Sequence, residues 1–425
     1  MVAPGNLTTR QVYGWRMAET TQKLPTIPPI ISVDDHVIEP AGVWQDRLPK
    51  KFLDVGPKLV RNKTKSMSFV GGVFSYEEAG PGEDGTWCDW WHCEDLRSPL
   101  TRLSAAAGYP RDEITVTPIT MDDMRPGCWQ QGPRLEDMDV NHVQASLAFP
   151  SFPRFCGQTF LERRDKELAD LCVKAYNDWM FDEWCAGTGG RLIPLPIVQL
   201  WDAELAAAEV RRSAARGGRS ICFSEIPPFL GLPSVHDADG YWDPLWTACA
   251  ETGTVVSMHI GSSSKMPSTS ADAPAAVGST LTYMNAAMSL TDFLMSGLFE
   301  RFPGLVVAYS EGQIGWIPYV LERADKVWED NRGWGGVADK VLKPPSEYYK
   351  DHVYGCFFDD PHGLQSLESV GVDNVTFETD YPHSDSTWPD TEAVAQRLMA
   401  GLDDVTIRKL VRGNAIRMLQ LDFEP

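Results

Sequence analysis

Short apolar runs alternate with amphipathic stretches along most of this chain, and this alternation restricts the possible folds more than any other feature. From Pro29 onward the sequence predicts eight strands, each continuously apolar in the manner of Val255-Val256-Ser257-Met258. Strands that are apolar on both faces are typical of a parallel sheet covered on both sides. The predicted strands are Ile30–His36, Ala145–Phe152, Leu192–Leu200, Arg219–Glu225, Thr254–Ile260, Leu305–Glu311, His352–Phe358 and Asn374–Asp380.

Helical patterns lie between these strands. The predicted helices are Leu161–Cys185, Asp202–Ala215, Tyr241–Thr252, Leu281–Phe302, Ile317–Asp330, Gly363–Val370 and Asp404–Leu419. Strands that alternate with helices predict an α/β fold, and eight such units predict a (β/α)8 barrel, the TIM barrel. The chain has 425 residues, and such barrels often use about 250 residues or more as one domain.

A long segment interrupts the alternation between the first and second predicted strands. It covers residues 43–134, is rich in Trp, Gly, Pro and charged residues, and is too long for a simple connection. We interpret it as an inserted cap or lid over the barrel mouth; a surface excursion or an oligomer arm is the alternative. The chain thus divides into an N-terminal arm, residues 1–28, and a barrel of residues 29–425 that carries the insertion.

Charge and cysteine content exclude several classes of protein. The chain has 38 Lys plus Arg against 59 Asp plus Glu, a net charge of -21, which argues against nucleic acid and anionic membranes as partners. It has no apolar run of the roughly 18 residues that a membrane span needs, and no secretory signal pattern at its start. Its nine cysteines are scattered, without a Cys-x-x-Cys pair, as in proteins with reduced thiols. We therefore predict a cytoplasmic protein.

The carboxyl end of the first predicted strand carries two chemically active side chains. Asp34 and His36 are two residues apart, so on a strand they point to the same face. In a barrel of this kind the active site lies at the carboxyl ends of the strands. A carboxylate beside an imidazole at that position is a natural metal-binding pair.

Further candidate ligands follow the fifth, sixth and eighth predicted strands. These are His259, Glu311, and the segment Asp380-Tyr381-Pro382-His383. A single histidine is more often structural than a ligand. Because histidine or carboxylate recurs at four strand ends, a packing explanation would bury several ionisable groups without partners, at several kcal/mol each. We therefore interpret these residues as a metal site.

These motifs resemble those of a known family, the amidohydrolase-like metal-dependent (β/α)8 barrels. The likeness covers nearly the whole chain and rests on Asp34-x-His36-x-x-Glu39-Pro40, His259, Asp380-Tyr381-Pro382-His383 and Gly413-Asn414-Ala415. In that family the first-strand pair, the fifth-strand histidine and the eighth-strand aspartate bind metal. The resemblance implies this role for Asp34, His36, His259 and Asp380.

Two positions depart from the family pattern. Members usually carry a histidine after strand six, where this chain has Ser310-Glu311, and no lysine ends the fourth strand, where Ser224-Glu225 stands. A carbamylated lysine that bridges two zinc ions therefore has no source residue. The predicted metal ligands form a carboxylate-rich set: Asp34, His36, His259, Glu311, Asp380, His383 and Glu39. Such a set suits iron, and its size suits two ions.

With Glu311, His383 and the large insertion, the chain resembles an offshoot of the family, the barrel-fold nonheme diiron monooxygenases of platensimycin and platencin biosynthesis. The resemblance implies two iron ions, dioxygen as cosubstrate and an electron donor such as a ferredoxin with its reductase. It also implies hydroxylation of a bulky, diterpenoid-like, CoA-linked substrate in antibiotic biosynthesis, with Asp380 and Glu311 as catalytic residues.

Three other functions stay open. A hydrolase of an ester, amide or acyl thioester would use one or two zinc ions and metal-bound water, with Asp380 as general base. A nonoxidative decarboxylase of an aromatic acid would need one metal ion, and the lack of a histidine after strand six disfavours it. A barrel that binds a ligand without chemistry is disfavoured by the retained set of metal ligands.

Candidate contacts to a small-molecule substrate come from the strand ends and the insertion. Arg154 could hold a carboxylate or a phosphate through paired hydrogen bonds, or it could form a structural salt bridge. Arg125 and Trp129 lie in the insertion, whose aromatic and methionine residues suit a bulky apolar substrate or an internal core of the insertion. Tyr381 flanks a predicted ligand. An exposed Trp-rich arm would also favour a homodimer.

Overall fold

Twelve strands are found in the described part of the structure, a computed structural model that covers residues 24–424. They are β1 (Ile30–Val37), β2 (Lys58–Val70), β3 (Val73–Glu78), β4 (Thr86–Cys93), β5 (Leu96–Pro99), β6 (Val143–Pro150), β7 (Leu192–Ile193), β8 (Ser220–Cys222), β9 (Val255–His259), β10 (Val307–Ser310), β11 (Val353–Phe357) and β12 (Val375–Phe377). Most of the predicted N-terminal arm, residues 1–28, lies outside the described residues.

Eight of these strands form one parallel sheet in the order β7-β6-β1-β12-β11-β10-β9-β8. The strands at the two ends of this order, β7 and β8, are consecutive along the chain. The amide of Cys222 in β8 donates to the carbonyl oxygen of Pro196, just beyond β7, at 2.9 Å, and this bond closes the ring. The predicted (β/α)8 barrel is therefore confirmed.

The third barrel strand is much shorter than predicted. The sequence predicts Leu192–Leu200, but ladder pairing is limited to Leu192–Ile193. Pro194 and Pro196 follow, and proline has no amide hydrogen to donate to a neighbouring strand. The apolar run is still buried, because Leu195, Ile197 and Val198 belong to the hydrophobic core.

Helices cover the outside of the barrel, and their starts follow local capping chemistry. Asp165 accepts from the amide of Leu168, and Asp202 accepts from the amides of Glu204 and Leu205. The helices are α1 (Gly42–Gln45), α2 (Gln131–Val140), α3 (Gln158–Leu161), α4 (Lys166–Trp179), α5 (Ala203–Ala215), α6 (Asp243–Thr252), α7 (Ala275–Leu281), α8 (Tyr283–Ser296), α9 (Leu298–Arg301), α10 (Ile317–Asp330), α11 (Pro345–His352), α12 (Pro361–Gln365), α13 (Leu367–Val370), α14 (Thr391–Leu398), α15 (Asp404–Arg408) and α16 (Asn414–Leu419).

Two predicted helices are divided: Gly363–Val370 falls into α12 and α13, and the longer helix Leu281–Phe302 is interrupted as well. The pattern over Leu281–Phe302 predicts a continuous helix, but α8 ends at Ser296 and α9 begins at Leu298. Gly297 between them has a φ of 81°, in the left-handed region that ends helices and that glycine adopts without steric cost. The sequence contains this signal, and the apolar periodicity on both sides obscures it.

The insertion between β1 and β6 contains a second, antiparallel sheet in the order β3-β2-β4-β5. Its base packs on the barrel, since the ring of Trp91 stacks on Phe152 after β6 at 4.8 Å; within the insertion, Trp91 also meets Trp44 edge-on at 5.1 Å. After the sheet, the amides of Ala106 and Ala107 donate to the carbonyl of Pro382, at 2.7 and 3.1 Å. The insertion therefore contacts the carboxyl-end side of the barrel, and its role as a lid stays a prediction.

The nine cysteines are all free thiols, as the sequence predicts. Within residues 24–424, none of the helices has the length and apolar character needed to cross a membrane.

Candidate metal centre

The face of β1 that carries Asp34 and His36 points into a cluster of ionisable side chains. Nε2 of His36 lies 3.5 Å from Oδ1 of Asp34 and 3.2 Å from Oδ1 of Asp380. It also lies 3.2 Å from Nε2 of His259, which reaches the cluster from the end of β9. The backbone brings the first and last barrel strands together here, since the amide of Asp380 donates to the carbonyl of Asp34 at 2.9 Å.

A backbone contact fixes the tautomer of His259. Its Nδ1 lies 2.5 Å from the carbonyl of Ile260, and because a carbonyl only accepts, Nδ1 is the donor. In the neutral ring, Nε2 then presents a lone pair to Oε2 of Glu311 at 3.1 Å and to Oδ2 of Asp34 at 3.5 Å. Burial lowers the pKa of His259, but the hydrogen bond and the negative charge of Glu311 outweigh it, so the net shift is upward. The position favours a positive charge at Nε2.

The carboxylates of the cluster lack donors. Among residues 24–424, no group donates a hydrogen bond to either oxygen of Asp34 or of Asp380, although both side chains are buried. Burial raises the pKa of Asp34 well above its usual range, and the charges of Glu378, Asp380 and Glu311 raise it further. Buried carboxylates of this kind need a cation as partner.

Ligand atoms from two groups of residues lie close enough to share a metal ion. Asp34, His36 and His259 offer atoms within 4.8 Å of one another, and so do His36, Asp380 and His383. Burial lowers the pKa of His36 well below its usual value, with further lowering from His383 and His259, so this ring is a neutral ligand. The orphaned oxygens and convergent imidazole nitrogens fit a divalent cation.

The imidazole of His383 completes one side of the cluster. Its ring stacks on that of His36, with centroids 3.4 Å apart and planes 14° apart, and its Nδ1 lies 3.4 Å from Oδ1 of Asp380. Unlike His36, it is partly exposed, at 17%. His383 therefore lies between the buried ligands and solvent.

Strained backbone conformations recur at the strand ends around the cluster. Asp380, Glu311 and Arg154 have φ values of 52°, 59° and 61°, in the left-handed region that side-chain-bearing residues seldom adopt. Such residues concentrate at functional sites because the surrounding structure maintains them for their side-chain position. Here they place two carboxylates at the barrel mouth.

Glu39, a predicted ligand, lies outside this cluster. Its two carboxylate oxygens accept from the backbone amides of Ser151 and Phe152, each at 2.9 Å. These bonds tie the loop after β1 to the end of β6. Burial raises the pKa of Glu39 to about 7.

The side chains predicted to contact substrate are held by other protein groups. Both Arg125 and the hydroxyl of Tyr381 donate to the carboxylate of Asp137, at 2.7 Å and 2.5 Å for the shortest contacts. Arg154 donates to Glu162 at 2.7 Å and to Ser264. Of the four, Trp129 is partly buried against the hydrophobic core. Their predicted role in substrate binding stays a prediction.

Sequence reasoning missed Glu378, which is fully buried behind the cluster. Its Oε2 accepts from the amide of Glu311 at 3.0 Å and from the thiol of Cys356 at 2.5 Å. Burial raises the pKa of Glu378 to about 8. Glu378 and Asp380 are two residues apart, the same spacing that identified Asp34 and His36, so this spacing could have marked it.

Phe155 is a second residue that sequence reasoning did not assign. Its ring lies flat on that of His259, with centroids 4.1 Å apart and planes 6° apart, and Phe149 meets the same imidazole at 5.1 Å. Aromatic residues are common in any core, so no pattern in the sequence singles these out. They give the cluster an apolar aromatic wall.

The structure is a parallel eight-stranded barrel in which carboxylate and imidazole groups converge at the carboxyl ends of the strands. It therefore belongs to the class of barrels with a candidate metal centre at the mouth. The profile of the amidohydrolase family matches residues 86–421. The chain belongs to the amidohydrolase family.

Solved structures with the same fold include both hydrolase-type and decarboxylase proteins. An amidohydrolase from Mycobacterium avium subsp. paratuberculosis K-10 is 21% identical, with a TM-score of 0.67 over 92% of this chain and 99% of the other. A 2,6-dihydroxybenzoate decarboxylase from Rhizobium is 15% identical, with a TM-score of 0.55 over 93% and 100%. A 5-carboxyvanillate decarboxylase from Novosphingobium aromaticivorans DSM 12444, complexed with manganese and 4-hydroxy-3-methoxy-5-nitrobenzoic acid, is 20% identical, with a TM-score of 0.54 over 69% and 81%. At these identities the likeness shows the fold alone.

The expectation of a nonheme diiron monooxygenase is wrong. The family is that of the amidohydrolases, and decarboxylases recur among the similar structures. Assignment as an oxidoreductase, the diterpenoid substrate and the place in antibiotic biosynthesis are wrong with it, and iron, dioxygen and an electron donor have no support. Glu311 and His383 do reach the cluster, but additional carboxylate and imidazole groups do not by themselves specify redox chemistry.

Proposed function

We propose that this chain is a divalent-metal-dependent enzyme that removes a carboxyl group from an aromatic acid without oxidation. The observation that carries the proposal is the convergence of ligand atoms at the barrel mouth in two groups that share His36: Asp34, His36 and His259 form one group, and His36, Asp380 and His383 the other. Decarboxylases of aromatic acids with this fold support the choice of reaction.

Asp34, His36, His259 and Asp380 would hold one cation. A mixed set of carboxylate and imidazole ligands suits Mn²⁺ or Zn²⁺. We choose Mn²⁺ because the 5-carboxyvanillate decarboxylase is complexed with manganese. When bound, the cation would supply positive charge next to the oxygens of an anionic substrate.

The apolar wall suits a flat substrate. Phe155 and Phe149 pack on the His259 imidazole, beside the candidate ligands. Aromatic rings prefer offset-stacked or edge-to-face contact with other rings. The partly exposed Phe155 would orient an aromatic acid with its polar groups toward the cluster and keep water away from its ring, while Phe149 is buried and supports the His259 imidazole.

The reaction requires one proton and no oxidant. The bond between ring carbon and carboxyl carbon breaks, its electron pair stays on the ring carbon, carbon dioxide leaves, and a proton takes its place. Glu311 is the proposed proton donor: its side chain is 16% exposed, whereas Asp34 and Asp380 are 0% and 1% exposed. Partial exposure allows its Oε2 to regain a proton from solvent.

Hydrolysis is the second candidate, and one observation favours it. Both oxygens of Asp380 are free of donors within residues 24–424, so this carboxylate could accept a proton from an attacking water. The substrate would then be an ester or an amide. The family name is consistent with this reaction.

One anaerobic experiment separates the two reactions. Metal-free protein is reconstituted with Mn²⁺, and in parallel with Zn²⁺, and incubated in D₂O with 2,6-dihydroxybenzoate, 5-carboxyvanillate and p-nitrophenyl acetate. We expect release of carbon dioxide and one deuterium at the ring carbon, absent from Asp380→Asn and retained in the surface variant His236→Gln. Ester hydrolysis without carbon dioxide would transfer the assignment to the second candidate. Turnover that appears only after dioxygen is admitted would contradict both.

A further inference from the structure

The insertion holds the loop that follows β12. Within residues 382–386, three alternate backbone carbonyls accept hydrogen bonds from the insertion. The carbonyl of Pro382 accepts from the amides of Ala106 and Ala107. The carbonyls of Ser384 and Ser386 accept from the two terminal nitrogens of Arg111, the second at 3.2 Å.

This loop determines where His383 lies. The amide of His383 donates to the carbonyl of Asp380 at 2.9 Å, and its carbonyl accepts from the amide of Ser386 at 3.3 Å. The loop is therefore a tight turn whose internal bonds involve residues 380, 383 and 386, while the carbonyls of residues 382, 384 and 386 accept from the insertion. A shift of this turn would move the imidazole away from His36, on which it stacks at 3.4 Å.

Arg111 suits this contact because of the shape of its guanidinium. The planar group presents donors in a fixed fork, so one side chain binds the carbonyls on both sides of residue 385. A lysine ammonium is a point donor that cannot hold two carbonyls in the same fixed geometry. The contact joins positions 273 and 275 residues apart in sequence, so it exists only because the insertion folds onto the barrel mouth.

We propose that Arg111 is a positioning residue: by clamping the carbonyls of Ser384 and Ser386, it holds His383 against the cation cluster and so raises the affinity for the metal. The proposal rests on the metal centre of the proposed function. It assigns the insertion a part in building that centre, whether or not the insertion also covers it.

The test measures loop exchange and metal affinity separately. Arg111→Ala and Arg111→Lys are compared with the wild-type protein by hydrogen exchange of the peptide that spans residues 381–388, in metal-free protein, and by calorimetric titration with Mn²⁺. We expect about tenfold faster exchange in Arg111→Ala, because charged hydrogen bonds are lost, and about tenfold weaker Mn²⁺ binding, the usual scale for residues that orient ligands. Arg111→Lys should fall between.

Arg97→Ala is the matched control. Arg97 also lies in the insertion, but it donates to the carbonyls of Glu94 and Leu96 in the same hairpin, so its loss should change neither readout. Exchange in Arg111→Ala within twofold of this control, or faster exchange with unchanged Mn²⁺ affinity, would overturn the proposal. If the wild-type protein binds no Mn²⁺, the proposed function fails, and the exchange measurement alone still decides whether the clamp exists.

Discussion

Asp34 and Asp35 are consecutive residues with buried carboxylates, yet they belong to two different regions of the barrel. The carboxylate of Asp35 accepts from Ser32 at 3.0 Å, from Thr379 at 2.6 Å, from the amide of Tyr381 at 3.1 Å and also from Ser146. The carboxylate of Asp34 has no donor within residues 24–424 and lies among other acids and imidazoles. The carboxylate of Asp35 therefore has its hydrogen-bond donors within the folded protein, whereas the carboxylate of Asp34 needs a cation.

The difference teaches that burial alone does not identify a functional carboxylate. Burial raises the pKa of both groups. For Asp35, the charge of Arg134 and the hydroxyl donors oppose this shift, whereas for Asp34 neighbouring acids add to it. The available hydrogen-bond donors, not the degree of burial, decide whether a buried carboxylate has a structural role or is free to bind a ligand.

The largest effect is expected for Asp34→Asn. Affinity for Mn²⁺ should fall by at least about 100-fold, because a charged ligand is lost. The metal-free protein should be no less stable than wild type, since the change removes a buried negative charge next to Glu378 and Asp380. Calorimetric titration and urea unfolding in the presence of a chelator measure the two quantities.

The exposed variant Asp292→Asn is the control for both measurements. A loss of metal-free stability in Asp34→Asn as large as that in an Asp35 variant would erase the distinction between the two regions.

The opposite result is expected for Asp35→Ala. Its free energy of unfolding, measured with urea in metal-free protein, should fall by about 3 kcal/mol because several buried donors lose their acceptor. Asp35→Asn should lose less, since the hydroxyls of Ser146 and Thr379 can accept as well as donate. A metal-free Asp35→Ala protein as stable as wild type would show that this network contributes little.

Glu39 gives an intermediate case, because its carboxylate is buried and has two amide donors. Its pKa of about 7 in the folded protein is above the usual 4.5. Because its pKa is raised on folding, Glu39 contributes to the stability of the folded protein below pH 4.5, and this contribution is lost as the pH rises through 7. From about pH 5 to 8 this group should lower the free energy of unfolding by about 2.5 kcal/mol.

Urea midpoints of metal-free wild type and Glu39→Gln across this range test the assignment. In the variant, the free energy of unfolding should lack this part of its dependence on pH. Equal slopes in the two proteins would mean that Glu39 does not titrate with a raised pKa.

The smallest effect on stability is expected for the exposed pair of Arg154 and Glu162. Arg154→Gln should change the free energy of unfolding by less than about 1 kcal/mol, as exposed ion pairs usually do. If Arg154 binds the substrate carboxylate, KM should rise severalfold with little change in kcat. Glu162→Gln is the matched control, and a KM equal to wild type in Arg154→Gln would remove Arg154 from the substrate site.

Much of the fold could be predicted from the sequence, because apolar periodicity is local and the barrel repeats it. Ile317–Asp330 has the predicted bounds. The structure departs from the prediction at the shortened β7 and at Gly297, because proline and glycine residues override an apolar pattern. The antiparallel sheet of the insertion was not predicted, since strand pairing there depends on contacts far apart in sequence.

The candidate site was predictable only in part. The spacing of Asp34 and His36 is a direct consequence of strand geometry, and His259 and Asp380 were predicted from their positions at strand ends, in agreement with the resemblance to the family. Glu39 was predicted as a ligand from the motif Asp34-x-His36-x-x-Glu39-Pro40, but its oxygens accept from backbone amides just after β6. The reaction could not be predicted, because the same ligand types serve redox, hydrolytic and decarboxylating metal centres.

The sequence by itself determined the order of strands and helices in the barrel and the ligand types at the strand ends, since both depend on local periodicity and side-chain chemistry. Only the tertiary structure decided that, within residues 24–424, Asp34 and Asp380 are left without donors and that Glu311 faces Nε2 of His259. It also decided how the insertion contacts the loop of His383. The physical reason is that hydrogen-bond satisfaction is a property of neighbours in space. Asp34 and Asp35 have the same side chain and nearly the same burial, but within residues 24–424 only Asp35 has donors, and two of them, Ser146 and Thr379, are more than a hundred residues away in the sequence.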